Sequence, residues 1–140
     1  MCSKYIFNIP CILLLSACTS ESSVTFTQYQ EESTLTIRPN SGHISLTLRC
    51  NLISKTPIVK IYSPVNLEKK FAFYTDGKYA VYYADIENDQ YVFSQENSKK
   101  ILNSMYISKV LVIKTSYGVK TSIGLTGINK VVKKHLTECL

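Results

Sequence analysis

The chain has 140 residues with few glycines and prolines, a length and composition that suit one globular domain and exclude two. Ten tyrosines and five phenylalanines, no tryptophan and many valines, isoleucines and threonines lean toward strands. The formal charge of +6 is concentrated in residues 98–140, which hold eight lysines and one acid, Glu138; scattered over several predicted elements with no nucleic-acid motif among them, these lysines argue against a nucleic-acid partner.

The chain opens with Lys4 and an apolar run from Tyr5 to Leu15, interrupted by Asn8 and Pro10, the pattern of a secretory leader. A membrane-spanning helix is the alternative, but it needs about 20 apolar residues, and this run is shorter and contains a proline. The run ends in Leu15-Ser16-Ala17-Cys18, which resembles the bacterial lipoprotein box: a branched apolar residue, two small residues and a cysteine. On that reading residues 1–17 are a cleaved signal peptide, and Cys18 becomes the first mature residue with a lipid on its thiol. Each buried methylene contributes roughly 0.8 kcal/mol, so two or three acyl chains anchor far more firmly than one. Removing Met1 to Ala17 takes away Cys2, Cys11 and a single charge, Lys4, and leaves +5. Thr19, rather than aspartate, follows the cysteine; this resembles outer-membrane sorting in Gram-negative bacteria and predicts a periplasm-facing protein on the inner leaflet of the outer membrane.

Two cysteines remain, Cys50 and Cys139. An even pair in an exported chain, with no other thiol to compete, predicts a disulfide; the alternative is two buried free thiols. Zinc is disfavoured, because only His43 and His135 could complete a site and neither lies at a ligand-pair spacing from a cysteine.

Residues 18–23 are the lipidated cysteine and a small polar tether, and residues 24–140 are the domain, with order expected to begin near Val24. In "TLTIRPNSGHISLTLRCN" apolar residues alternate at Leu35 and Ile37, then at Ile44, Leu46 and Leu48, around turn residues Pro39 to Gly42, which predicts a hairpin. Cys50 follows in step and points to the core face. "PIVKIYS" is a further strand. "FAFYTDGKYAVYYAD" is a second hairpin, whose Asp76-Gly77 pair favours a tight turn. Alternation places Tyr79, Val81, Tyr83 and Asp85 on one face and Ala80, Tyr82 and Ala84 on the other, so one tyrosine set packs while the other meets water. Such a strand is a core-and-rim feature or, alternatively, a ligand platform.

Asn97 or Ser98 is expected to cap a short helix through about Tyr106, with Ile101, Leu102 and Met105 as its apolar stripe. "KVLVIKTSYGVKTSIGL" reads as two strands around Tyr117-Gly118. Thr126 is then expected to cap "GINKVVKKHLTEC", a helix with Ile128, Val131, Val132, His135, Leu136 and Cys139 on one broad face. Lys130, Lys133 and Lys134 lie opposite, as a solvated face or as a surface for an acidic partner or anionic head groups. The expected fold class is therefore α+β: mainly antiparallel β, a sandwich-like sheet of hairpins, with a short helix and a C-terminal helix pinned by the disulfide.

Chemistry-bearing constellations are sparse. His135 falls within an apolar stripe and reads as a packed structural histidine, while His43 follows a turn glycine and reads as exposed. Asp85, Glu87 and Asp89 read as a solvated loop rather than a calcium site. With no phosphate-binding glycine loop and no nucleophile elbow, the sequence predicts no enzyme, no catalytic or metal site, no cofactor and no small-molecule substrate.

The order of features nevertheless resembles a family. Leu48-Arg49-Cys50 ending a strand, a hairpin reaching Asp85, a short helix, "VLVIKT", and the closing "IGLTGINKVVKKHLTEC" are similar to the domain of the VasI-like accessory proteins of type VI secretion clusters and, more loosely, of the invasion-associated locus B proteins. The resemblance spans Leu46 to Cys139. Ala84 stands where such proteins tend to carry arginine, and Tyr91 or Phe93 where they often carry tryptophan. The resemblance implies a disulfide-bonded sheet domain that acts by contact without a cofactor, and implies no particular secretion role. Together with the anchor it gives the leading expectation: a lipid-anchored, non-enzymatic module that binds another envelope protein as a secretion-system or envelope accessory factor. The alternatives are a prophage superinfection-exclusion lipoprotein and an inhibitor of a cell-wall hydrolase. The last is disfavoured by the basic charge, since lysozymes are basic themselves.

Overall fold

Alternation of apolar and polar residues drives the first half of the chain into a meander of strands. The computed structural model describes the backbone of residues 12–16 and the whole of residues 22–39, 44–116 and 118–140. Strands β1 (Ile12–Ser16), β2 (Ser22–Tyr29), β3 (Glu32–Pro39), β4 (Ser45–Asn51) and β5 (Thr56–Tyr62) pair in succession, all antiparallel. The chain then forms the hairpin of β6 (Lys70–Thr75) and β7 (Lys78–Tyr83). It returns through β8 (Asp85–Glu87) and β9 (Gln90–Val92), where β9 pairs with β5. Helix α1 (Gln95–Tyr106) follows, then β10 (Val110–Thr115), β11 (Lys120–Gly124), helix α2 (Thr126–His135) and a 3-10 turn, Thr137–Cys139. The result is α+β: a seven-stranded sheet, β1-β2-β3-β4-β5-β9-β8, and a four-stranded sheet, β11-β10-β6-β7, with two helices.

One core fills the space between these elements. The larger sheet contributes Leu35, Ile37, Leu46, Leu48 and Ile61; the smaller contributes Phe71, Phe73, Leu111, Ile113 and Ile123. Ile101, Leu102 and Met105 close it from α1, and Ile128, Val131 and Val132 from α2. Edge-to-face rings join the two sheets, with Phe71 on Tyr91 and Phe93 at 5.3 and 5.7 Å, and Phe73 on Phe93 at 5.6 Å. The Tyr91 hydroxyl accepts from Leu67 N at 2.7 Å and donates to Leu67 O at 3.0 Å, so its polar end is satisfied.

The expected hairpins form. Leu35 lies opposite Leu48 and Ile37 opposite Leu46, and Asp76 and Gly77 turn the second hairpin with φ of 49° and 84°. Cys50 and Cys139, both buried, form a disulfide with α-carbons 5.9 Å apart, which ties the chain's last turn to β4.

Several boundaries differ from expectation. Strand β2 begins at Ser22, before the expected Val24, and its buried Ser22, Val24 and Phe26 alternate but include only two apolar residues. Helix α1 starts before Asn97: Ser94 caps it, its hydroxyl accepting from Asn97 N at 3.1 Å, and Ser98 is buried inside. Helix α2 begins after Leu125 with no side-chain cap, so Thr126 is its first residue, and Cys139 belongs to the 3-10 turn beyond it. Asp85 to Asp89 form most of a small hairpin, turned by Asn88 and Asp89 with φ of 49° and 63°, rather than a loop. Ala17, Cys18, His43 and Tyr117 lie outside the described residues, and Ile12–Ser16 of the expected leader run as β1 at the sheet edge. Among the described residues no helix is long and apolar enough to cross a membrane.

Candidate functional site

A two-layer fold leaves each sheet one outward face, and on the four-stranded sheet that face carries Tyr74, Tyr79 and Tyr83. Its composition follows from register. Tyr79 lies opposite Tyr74, and Tyr74 opposite Val112, which lies opposite Ser122; the next row runs Val81, Ala72, Lys114, Lys120, and Tyr83 lies opposite Lys70. Because side chains alternate along each strand, all of these positions share the face away from Phe71, Phe73, Leu111 and Ile113.

Tyr79 and Tyr83 are 61% and 66% exposed, values high enough to leave their rings available to another molecule. Tyr74 is half-buried beside Tyr79, with ring centroids 5.1 Å apart. Tyr82, on the opposite face of the same strand, packs edge-on against Phe73 at 5.6 Å. The expected division of the tyrosines into a packed set and a wet set is therefore present. Lys70, Lys114 and Lys120 punctuate the face, with Glu68 at the rim of a shallow depression that Lys70, Tyr74, Tyr79 and Lys114 also line. The nearby carboxylate of Asp76 is already engaged: it accepts from Lys109 N at 3.0 Å and from Val110 N at 3.1 Å, fastening the turn to the start of β10.

Such a face binds by area and charge. Tyrosine offers a broad apolar ring with few rotamers to freeze and a hydroxyl for hydrogen bonding, which is why it is enriched at interface centres. Lysines around it set the sign of the potential and favour an acidic counterpart.

Comparison with protein-family models, curated proteins and solved structures finds no match.

The residues singled out in the sequence lie elsewhere. Lys130, Lys133 and Lys134 are exposed on α2, opposite Ile128, Val131 and Val132. Lys133 and Lys134 also sit in the helix's last turn, where positive charge complements the macrodipole. His135 stacks on Phe26 of β2, with centroids 4.0 Å apart and planes inclined by 25°. Burial, reinforced by the neighbouring Lys134 charge, holds its imidazole below the ordinary value of 6.5. Asp85, Glu87 and Asp89 are exposed, and among the described residues no three His, Cys, Asp or Glu side chains converge on one point. Sequence reasoning found Tyr79, Val81 and Tyr83 but missed Tyr74, Val112 and the three lysines beside them. Alternation within β6 and β10 carried part of that signal; the adjacency of β6 and β10, separated by four intervening elements, did not appear in it.

Proposed function

We propose that the chain is a lipid-anchored bacterial envelope protein that works without catalysis, binding an acidic surface of another envelope protein through the outer face of its four-stranded sheet. The observation that carries this reading is the face of Tyr74, Tyr79 and Tyr83 interleaved with Lys70, Lys114 and Lys120. The anchor is supported by Leu15-Ser16-Ala17-Cys18, and the inner leaflet of the outer membrane by Thr19. The strand ending in Cys50, the hairpin, the helix and the C-terminal helix with Cys139 support a VasI-like accessory domain.

Two measurements test it in the lipidated, membrane-held protein. A fatty-acid probe labels the chain, and Cys18→Ala abolishes both label and mature size; retention of label in that variant overturns the anchor. For the face, the protein retained after cross-linking in the native membrane is identified and its affinity measured. Tyr79→Ser with Tyr83→Ser removes anchor side chains worth about 2 kcal/mol each when central, or roughly thirty-fold in Kd apiece. Lys114→Glu slows association and weakens its salt dependence. Unchanged affinity in all three substitutions overturns the face as the binding surface.

A further inference from the structure

The outermost strand of the larger sheet comes from the segment that the leader reading removes. β1 runs antiparallel to β2 with Leu13 opposite Phe26, Leu14 opposite Thr25 and Leu15 opposite Val24. Cleavage before Cys18 takes β1 away and makes β2 the edge. An edge strand offers a row of backbone donors and acceptors to any extended chain, and sheets ordinarily blunt such edges with charge, proline, shortness or a covering segment. β2 has none of the first three: "SSVTFTQY" is eight residues long with no charge and no proline. The opposite edge of the same sheet, β8, is three residues long and carries Asp85 and Glu87. The molecule thus guards one edge by sequence and the other by β1.

We propose that leader removal opens β2 as a pairing edge and that a second copy of the chain fills it, β2 against β2 across a two-fold axis at Thr25. The sequence of β2 is suited to itself in this register. Thr25 meets Thr25, Val24 meets Phe26 of the second copy, and Ser23 meets Thr27, so core-face residues meet core-face residues and outward threonines meet outward polar residues. Val24 and Phe26 then find apolar partners where β1 set Leu15 and Leu13 opposite them. The contact is isologous and closes at two copies. Three residues separate Cys18 from Ser22, and the two Ser22 positions fall about 20 Å apart along the paired strands, so both anchors reach one leaflet with β2 lying along the membrane. Confinement to that surface raises the effective concentration of the second copy. Before cleavage β1 keeps the edge covered, which delays pairing until the leader is removed.

This inference rests on the leader reading, and the test separates the two. A photo-reactive benzoylphenylalanine replaces Thr25 in the full chain, which is expressed, processed and irradiated in its native membrane; the control carries it at Thr47, on the outward face of β4 in mid-sheet. The expected result is an adduct of two copies of this chain from Thr25 and none from Thr47. A probe at Thr27 gives the same adduct should Thr25 not tolerate the larger side chain. In the Cys18→Ala chain, where β1 is retained, the Thr25 adduct is lost. An adduct with a different protein, equal self-adducts from Thr47, an undiminished adduct in the Cys18→Ala chain, or a mature-sized protein with no adduct at either Thr25 or Thr27 overturns the pairing. A wild-type chain that never reaches mature size overturns the leader reading and the pairing with it.

Discussion

Ser98 joins α1 to the larger sheet through a single buried hydroxyl. Its Oγ accepts from Val59 N at 2.9 Å and donates to Phe93 O at 3.3 Å, and the residue is fully buried. Helical spacing explains the burial, since Ser98 shares a stripe with Ile101, Leu102 and Met105. A polar group on such a stripe is stable only with partners, and here one partner is a backbone N–H that β5 leaves free where β9 begins to pair. Ser98→Ala strands that N–H in the core and is expected to cost about 1–3 kcal/mol, against well under 1 kcal/mol for the neighbouring exposed Lys99→Ala. Urea unfolding of the two variants measures the difference. Equal midpoints would show that Val59 N finds another acceptor.

Helix α2 is held by its aliphatic stripe and, on the same face, by the His135–Phe26 stack, which reaches across to β2. A histidine kept below its ordinary value binds fewer protons folded than unfolded, so stability rises with pH through this range. The neutral ring's contribution is complete above about 6.5 and is lost as pH falls below that value. His135→Phe keeps a ring on Phe26 and removes the titration, so the melting temperature of the variant is expected to fall less between pH 7.5 and 5.5 than that of the parent. Parallel slopes would assign the pH dependence to other groups. Elements of this kind were legible where a periodicity stood alone: α2's stripe, the Asp76-Gly77 turn and the β3–β4 register all follow from local pattern. β2 was not, because it holds just two alternating apolar residues, Val24 and Phe26, and its partner strands complete the pattern. The tyrosine–lysine face was half legible for a related reason. Each strand shows its own alternation, but β10 lies beside β6 only after the chain has passed through β7, β8, β9 and α1, and long-range pairing leaves no mark on local spacing.

At the scale of the whole molecule the Cys50–Cys139 bridge closes a loop across 89 residues, enclosing β5, the entire four-stranded sheet and both helices. The period of two in β4 turns Cys50 inward, and the 3-10 turn that follows α2 turns Cys139 inward. Leu136 is buried at this end and Leu140 packs against the core, whereas the Lys55–Glu138 ion pair at 3.6 Å has both side chains more than half exposed, a geometry that contributes little. The bridge is the covalent tie between the C-terminus and β4. In the chain-entropy account a loop of this length gives about 4–5 kcal/mol by restricting the unfolded chain, a large share of a net stability of about 5–15 kcal/mol. Cys50→Ala with Cys139→Ala is thus expected to lower the melting temperature sharply and to let the chain open from its C-terminal end. The tyrosine–lysine face lies within the closed loop, on strands packed through Phe71 and Phe73, so partner affinity should persist at temperatures where the variant remains folded. Limited proteolysis reads the local effect, with cleavage appearing first after Lys130, Lys133 or Lys134, while thermal unfolding reads the global one. Cleavage at those lysines no faster than in the bridged protein would mean that Leu136 and the apolar stripe of α2 hold the end in place without the sulfurs.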